Sequence, residues 1–494
     1  MPSESTALSS EAQELLRRRL AGLAQVDAPA APAQRAEHSR RRPLSPDQRR
    51  LWFLDQLKPN RADYNVAAAW RLSGPVSPGA LDAALVDVVS RQDALRTAVA
   101  VGDGETWAWL APPPTSLLQE HDLSTADDPI GTARRLAFDE SRRPLDLENG
   151  PLYRFWLARL GPDDHVFGVT VHHLVFDRDS LVIMLEQLFA AYERAGSLAP
   201  TEPGLPSAGH ADYARTSPAI GSGARHAEHL DYWRRQLAGV GVFLDLPTDH
   251  ERPRGGLSGV AGEARVEFGS GDTAAIRALA DGNDTTPFAV CLAAFEALLY
   301  RCTGAASFAV GCPFTARDRV ESERLIGFFT RSLPIVTRLG MQTDPTFCGL
   351  VHEAREAMLA AHEHQETPLE DILALVQPPR EVSHNPLFQV WFDYAVGDAD
   401  DVPWPPHLTA TAFPCGDTAT RFDLELHLTE KSRTLEARLL YSAELFEADT
   451  AEQLAGSYRR LLAAAAAAPD TRLSRLPLLG QDDIETIVNA WSHG

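Results

Sequence analysis

Positive charge is scarce in this sequence. Lys58 and Lys431 are the two lysines in 494 residues, and 46 Lys plus Arg face 68 Asp plus Glu, for a formal charge of -22. A chain so acidic lacks the basic surplus that nucleic-acid binders draw on, so no nucleic-acid partner is expected. Cysteine is sparse too. Cys291, Cys302, Cys312, Cys348 and Cys415 form no C-x-x-C pair, and an odd number spread along a long chain makes no disulfide framework. A reducing, cytoplasmic compartment is the expectation. No uninterrupted apolar run approaches the ~20 residues a membrane helix needs, and the opening MPSESTALSSEAQELLRRRLAG lacks a basic-then-apolar leader, so no membrane association is expected.

What is present is length and a mixed pattern. At ~100–200 residues per domain, the chain has room for two to four domains. Leu8, Leu15, Leu16, Leu20 and Leu23 take helical spacing, and an Ala-, Pro- and Arg-rich stretch follows, so residues 1–42 read as a helix and linker. From Pro43 the pattern alternates: helix at 46–57, strand at 66–73, helices at 78–92 and 130–140, strands at 152–159 and 165–171. Residues 201–224 are dense in Gly, Pro and Ser, which places a boundary between lobes at 43–217 and 218–475. The second lobe opens with helical spacing in HAEHLDYWRRQLAG. A strand at 263–268, helices at 273–280 and 286–302, and a strand at 307–312 follow. A helix at 345–363, strands at 387–395, 421–429 and 435–442, and an Ala-rich helix at 450–467 complete it. Residues 476–494 read as the start of a linker to a following domain. The class is mixed α/β, and the two halves share a grammar without an aligned repeat.

The most informative stretch is DHVFGVTVHHLVFDRDSLVIMLEQLFAAYERAG, residues 164–196. An apolar strand through Val166, Phe167, Val169 and Val171 ends in His172-His173, and helical spacing resumes at Leu181, Met184, Leu185, Leu188 and Phe189. Because side chains alternate along a strand, one histidine should face the core and the other a cleft. Asp177 follows His173 by four, and Asp179 or Ser180 can cap the helix. No third ligand has convincing spacing for a metal, and none is expected here or at His362, His364 and Glu366.

His172-His173-Leu174-Val175-Phe176-Asp177-Arg178-Asp179-Ser180 resembles the HHxxxDxxS signature of condensation domains of nonribosomal peptide synthetases, in the chloramphenicol-acetyltransferase-like superfamily. Other segments resemble that family's remaining motifs in order: LSPDQRRLWFLDQL (44–57), SRQDALRT (90–97), HADYA (210–214) with DYWRRQLAG (231–239), IGFFTRSL (326–333), HQETPLE (364–370) and REVSHNPLFQV (380–390). The likeness covers roughly residues 43–475.

The resemblance implies two acetyltransferase-like lobes in a V-shaped pseudo-dimer with a central substrate tunnel. It implies amide formation between a donor thioester and an acceptor amine, each held by a peptidyl carrier domain. No cofactor would be bound permanently, because the phosphopantetheine arms belong to the carriers. By the family pattern His173 is the catalytic residue and His172 is structural. Asp177 holds the turn through an arginine, best matched by Arg317, while Ser180 starts the helix and Arg178 completes the motif. A monomer beside an adenylation domain is expected. Ester formation, acyl transfer to an amine not held on a carrier, and a carrier-docking platform without turnover remain open. Trp52 and Phe53 read as core aromatics, and Trp391 as facing either tunnel or core.

Three residues depart from the family pattern, one of them Asp179, which stands where an aromatic residue is usual. Arg178 stands where glycine is usual, and Arg331 where asparagine is usual. Glycine permits backbone conformations that Arg does not reach cheaply, and an added cation can compete for Asp177 or alter His173. Arg178→Gly tests this directly: altered turnover or acceptor choice marks the departure as functional, and unchanged turnover marks it as incidental.

Overall fold

The protein is described by a computed structural model covering residues 41–57, 61–102, 105–195, 209–210, 224–339, 344–377, 384–397, 404–416, 419–480 and 484–485. The helix expected at 8–24 and most of the 201–224 stretch lie outside the described residues. Along the chain run α1 (Pro46–Leu57), β1 (Asn65–Ser73), α2 (Pro78–Arg91), β2 (Thr97–Gly102), β3 (Glu105–Leu110), β4 (Leu118–Asp122), α3 (Pro129–Arg142), β5 (Tyr153–Gly161), β6 (Asp164–His172) and α4 (Arg178–Ala195). There follow α5 (Ala224–Leu237), β7 (Ala261–Phe268), α6 (Ser270–Gly282), α7 (Pro287–Thr303), β8 (Ser307–Thr315), β9 (Thr330–Arg338), α8 (Phe347–Glu363) and α9 (Leu369–Val376). The last elements are β10 (Val390–Val396), β11 (Thr409–Phe413), β12 (Leu424–Glu430), β13 (Leu435–Ser442) and α10 (Ala448–Ala467).

Two compact units result. The described residues of Met1–Pro218, Arg317–Phe329 and Val402–Gly416 make the first, and those of Ala219–Ala316, Thr330–Asp401 and Asp417–Gly494 make the second. The first unit therefore takes two segments from far down the chain.

Its sheet runs β11-β1-β6-β5-β4, with β6 antiparallel to both β1 and β5. Strand β6 is apolar and buried almost throughout because it lies at the centre of that sheet. Helix α3 packs across β1, β5 and β6, placing Ala133 and Ala137 against Trp156, Ala158 and Val166. Helix α2 starts at a Ser77 cap followed by Pro78, and buries Leu81, Ala84, Leu85, Val88 and Val89, the repeat of one helix face. The second unit's sheet runs β7-β13-β12-β10-β8-β9. Helix α7 is buried along most of its length, from Ala289 to Leu299, and its composition, apolar on all sides apart from Glu296, fits that place. Among the described residues no helix is long and apolar enough to cross a membrane.

Several elements have no counterpart in the sequence reading: the β2–β3 hairpin, β4, β9, α9 and β11. Pro334 argues against a strand at 330–338, yet β9 lies at the sheet edge, where a missing N–H is tolerated. Strand β11, Thr-Ala-Thr-Ala-Phe, is five residues long with alanine at two of them, and it forms by pairing antiparallel with β1. Phe53, expected in the core, is 41% exposed while Trp52 is buried. Neighbouring helix positions point about 100° apart, so only one of the two faces inward. Trp391 is buried and stacks on Phe422 at 5.3 Å, which places it in the core of its own unit.

Gly168 lies opposite Trp156 in the β5–β6 pair, and a Cβ there would stand 2.0 Å from the indole. Gly168→Ala is expected to cost ~1–3 kcal/mol by overpacking. Chemical denaturation reads this as a lowered midpoint, and an unchanged midpoint would show that the indole can swing aside.

Candidate active site

The strand β6 ends in a single 3₁₀ turn, His173–Val175, before α4 begins. His172 is the last strand residue and is buried; its Nδ1 accepts the Leu174 N–H at 3.1 Å. Its neutral ring therefore carries the proton on Nε2. Burial, reinforced by the neighbouring His173 ring, pushes its pKa down to about 3. His173 is half-buried, and its backbone N–H donates to the Tyr64 carbonyl at 2.7 Å. Its Nδ1 lies 2.6 Å from the Phe176 carbonyl oxygen. A carbonyl only accepts, so Nδ1 carries the proton, and in the neutral ring Nε2 carries the lone pair. The Phe328 ring meets the His173 ring edge-on, with centroids 4.8 Å apart.

The turn is held from α1. Ser45 and Gln48 form a reciprocal capping box, the Gln48 Oε1 accepting the Ser45 N–H at 3.0 Å and the Ser45 Oγ accepting the Gln48 N–H at 3.2 Å. The Gln48 amide then donates to the Leu174 carbonyl at 2.9 Å.

Asp177 closes the other end of the turn. Its Oδ1 accepts the Ser180 N–H at 2.8 Å, so Asp177 itself caps α4. This corrects the expectation of a cap at Asp179 or Ser180: the cap must precede the first helical residue, Arg178, and reach the third. The same Oδ1 accepts from the Ser180 hydroxyl at 2.6 Å and from Arg317 Nη2 at 2.9 Å, while Oδ2 accepts the Phe329 N–H at 3.0 Å. Arg317 also donates through Nη1 to the Ser322 and Leu325 carbonyls and lies 4.2 Å over the Phe329 ring. A buried carboxylate and guanidinium are tolerable because every oxygen has a donor and the cation lies on an aromatic face.

The fold thus brings His172, His173, Asp177, Ser180 and Arg317 together. Arg178 occupies the first turn of α4 with its side chain exposed. Arg331 lies on β9 in the second unit and donates to the Gln365 carbonyl at 3.1 Å. There His364 stacks on Tyr232 at 3.9 Å and its carbonyl accepts the Trp233 indole N–H. Sequence reasoning assigned no role to Gln48, Gln92, His210 or Phe328. All four fall inside the quoted motifs, but nothing local marks them, because each acts on backbone groups or rings distant in sequence.

A family model described as the condensation domain matches residues 38–488. Phosphinothricin tripeptide synthetase PhsC of Streptomyces viridochromogenes is 35% identical over 493 residues, covering 98% of this chain and 45% of that protein. Malpinin synthetase of Mortierella alpina is 34% identical over 448 residues, covering 89% of this chain and 6% of that protein. Among solved structures, the X-domain in the complex of the X-domain and OxyB from teicoplanin biosynthesis has a TM-score of 0.79 at 27% identity, covering 93% of this chain and 98% of that one. The chain belongs to the condensation-domain family of nonribosomal peptide synthetases, with that family's chloramphenicol-acetyltransferase-like fold. It spans less than half the length of these two curated relatives.

His172 makes a pH prediction with a definite sign. Between its unfolded value of 6.5 and its folded value of about 3, the unfolded chain binds a proton that the folded chain does not. Its contribution to stability is fully present above the unfolded value and declines as pH falls toward the folded one, by at most ~1.4 kcal/mol per pH unit. The imidazole ¹⁵N signals of His172 should stay those of a neutral, Nε2-protonated ring from about pH 8 to 5. A normal titration there would refute the assignment.

Proposed function

We propose that this chain catalyses amide formation between a donor acyl or peptidyl thioester and an acceptor aminoacyl group, each borne on a carrier domain. The observation that carries this reading is the hydrogen bond from His173 Nδ1 to the Phe176 carbonyl, which leaves Nε2 as the basic nitrogen of a half-buried ring. Family membership supplies the reaction class. The phosphopantetheine arms enter as parts of the two substrates, and adenylation and carrier domains are expected in the same assembly.

An α-amine has a pKa of about 7.7–8.0, so an appreciable fraction is already a neutral nucleophile near neutral pH. Its nitrogen attacks the thioester carbon, forming the C–N bond and moving the carbonyl π pair onto oxygen. His173 Nε2 takes the proton that the nitrogen can no longer keep. Collapse re-forms the C=O bond and breaks the C–S bond, and the departing thiolate receives that proton from Nε2. The Phe176 carbonyl keeps the imidazole in the tautomer this exchange requires and stabilises the imidazolium in between. His172, neutral and buried, keeps its neighbour's backbone in place, and Asp177 works through the geometry of the turn rather than through proton transfer.

A second reading has one specific support. The X-domain was solved with OxyB bound, and the exposed Arg178 of this chain departs from the family pattern, so a docking platform without turnover is the rival. Mass spectrometry of products, with aminoacyl groups loaded on donor and acceptor carriers, separates the two. Wild type should join them, and His173→Ala should lose ~10²- to 10⁴-fold in rate. Carrier binding without product in either protein would favour the platform.

A further inference from the structure

The segment before β9 is gripped on its backbone by side chains of the first unit. Gln92 Nε2 and Gln187 Nε2 donate to the Arg324 carbonyl at 3.2 and 3.0 Å, and Gln92 Oε1 accepts the Ile326 N–H at 3.0 Å. Ser180 Oγ lies 3.0 Å from the Gly327 nitrogen, whose N–H it accepts, and 2.9 Å from the Gly327 carbonyl. The Phe328–Phe329 peptide is held on both sides. Its N–H donates to Asp177 Oδ2, and its carbonyl lies 3.1 Å from His210 Nε2, which must therefore be the donor.

His210 is itself fixed. It is buried, its backbone N–H donates to Asp93 Oδ1 at 3.0 Å, and its ring meets the Phe329 ring edge-on with centroids 4.9 Å apart. It also lies directly over Gly327, where a Cβ would come within 2.2 Å of His210 Cδ2. Orienting the 328–329 peptide sets the direction in which the Phe328 side chain leaves the backbone, and that side chain supplies the ring against His173.

We propose that His210 is a positioning residue for His173: by holding the Phe328 carbonyl it aims the Phe328 ring at the His173 imidazole and so restricts its rotation. Two restraints then act on His173, the Phe176 carbonyl on Nδ1 and the Phe328 ring on the imidazole plane. The proposal rests on the reading of His173 as the reacting base. It gives a common purpose to three motif segments, those around Asp93, His210 and Phe328, that the reaction itself leaves without one.

The test compares His210→Phe, which keeps a ring beside Phe329 but removes the donor, with His210→Gln, which returns an N–H at similar reach. In the carrier-to-carrier assay, misplacement by about 1 Å can cost ~100-fold, so His210→Phe should lose roughly 10- to 100-fold in kcat. KM for either loaded carrier should stay within about twofold, the pattern of an interaction made only in the transition state. His210→Gln should recover most of the rate, and in a His173→Ala background His210→Phe should cost nothing more. An unchanged kcat in folded His210→Phe, or an equal loss in both backgrounds, overturns the proposal. Should His210→Phe not fold, Phe328→Leu removes the ring alone; it should reproduce the kcat loss, and an unaffected kcat overturns the proposal. Imidazole ¹⁵N and ¹H signals of His173 keep this separate from the catalytic reading. If His173→Ala retains full turnover, that reading falls alone, whereas His173 signals unmoved by His210→Phe end the positioning role.

Discussion

The first unit depends on one buried ion pair. Asp177 and Arg317 are 140 positions apart in sequence and joined at 2.9 Å, both nearly inaccessible to solvent. Removing either partner of such a pair leaves an unpaired buried charge, at a cost of ~3–5 kcal/mol. Through its remaining lone pairs the same carboxylate caps α4 and binds the Phe329 N–H. One side chain thereby ends the histidine turn, starts a helix and fastens a remote segment. That is why Arg317–Phe329 packs with the first unit although its neighbours on either side in sequence belong to the second.

Two adjacent histidines acquire opposite characters from this frame. His172 spends its Nδ1 lone pair on a backbone N–H and is buried, so it stays neutral and serves the fold. His173 spends its Nδ1 proton on a backbone carbonyl and keeps partial exposure, so its other nitrogen is the basic one. The difference lies in which backbone group each Nδ1 meets, and the 3₁₀ turn between strand and helix decides that. Its Leu174 carbonyl is tied to Gln48, so the geometry is enforced from α1 as well.

Much of the fold was legible from pattern. The buried runs of β5 and β6, the one-sided spacing of α2 and the largely apolar α7 each carry their environment in their composition. Elements that are short or contradictory were not legible: β11 is five residues with two alanines, and β9 contains proline, and both form because a neighbouring strand offers a ladder. Phe53 shows the limit at single positions, since a helical period identifies a face only when the partner of that face is known.

For the site, the order of residues alone determined the strand-turn-helix that carries His172, His173 and Asp177, because these lie within six positions and local periodicity reaches that far. Motif likeness added Arg317 as a matching arginine. Only the tertiary structure decided that Gln48 and Phe328 meet the histidine turn, that Gln92 and His210 hold the 324–328 segment that carries Phe328, that the Phe176 carbonyl sets the tautomer of His173, and that Asp177 rather than its successors caps α4. Those relations are hydrogen bonds to backbone groups and contacts between rings, and neither leaves a periodic trace in the sequence.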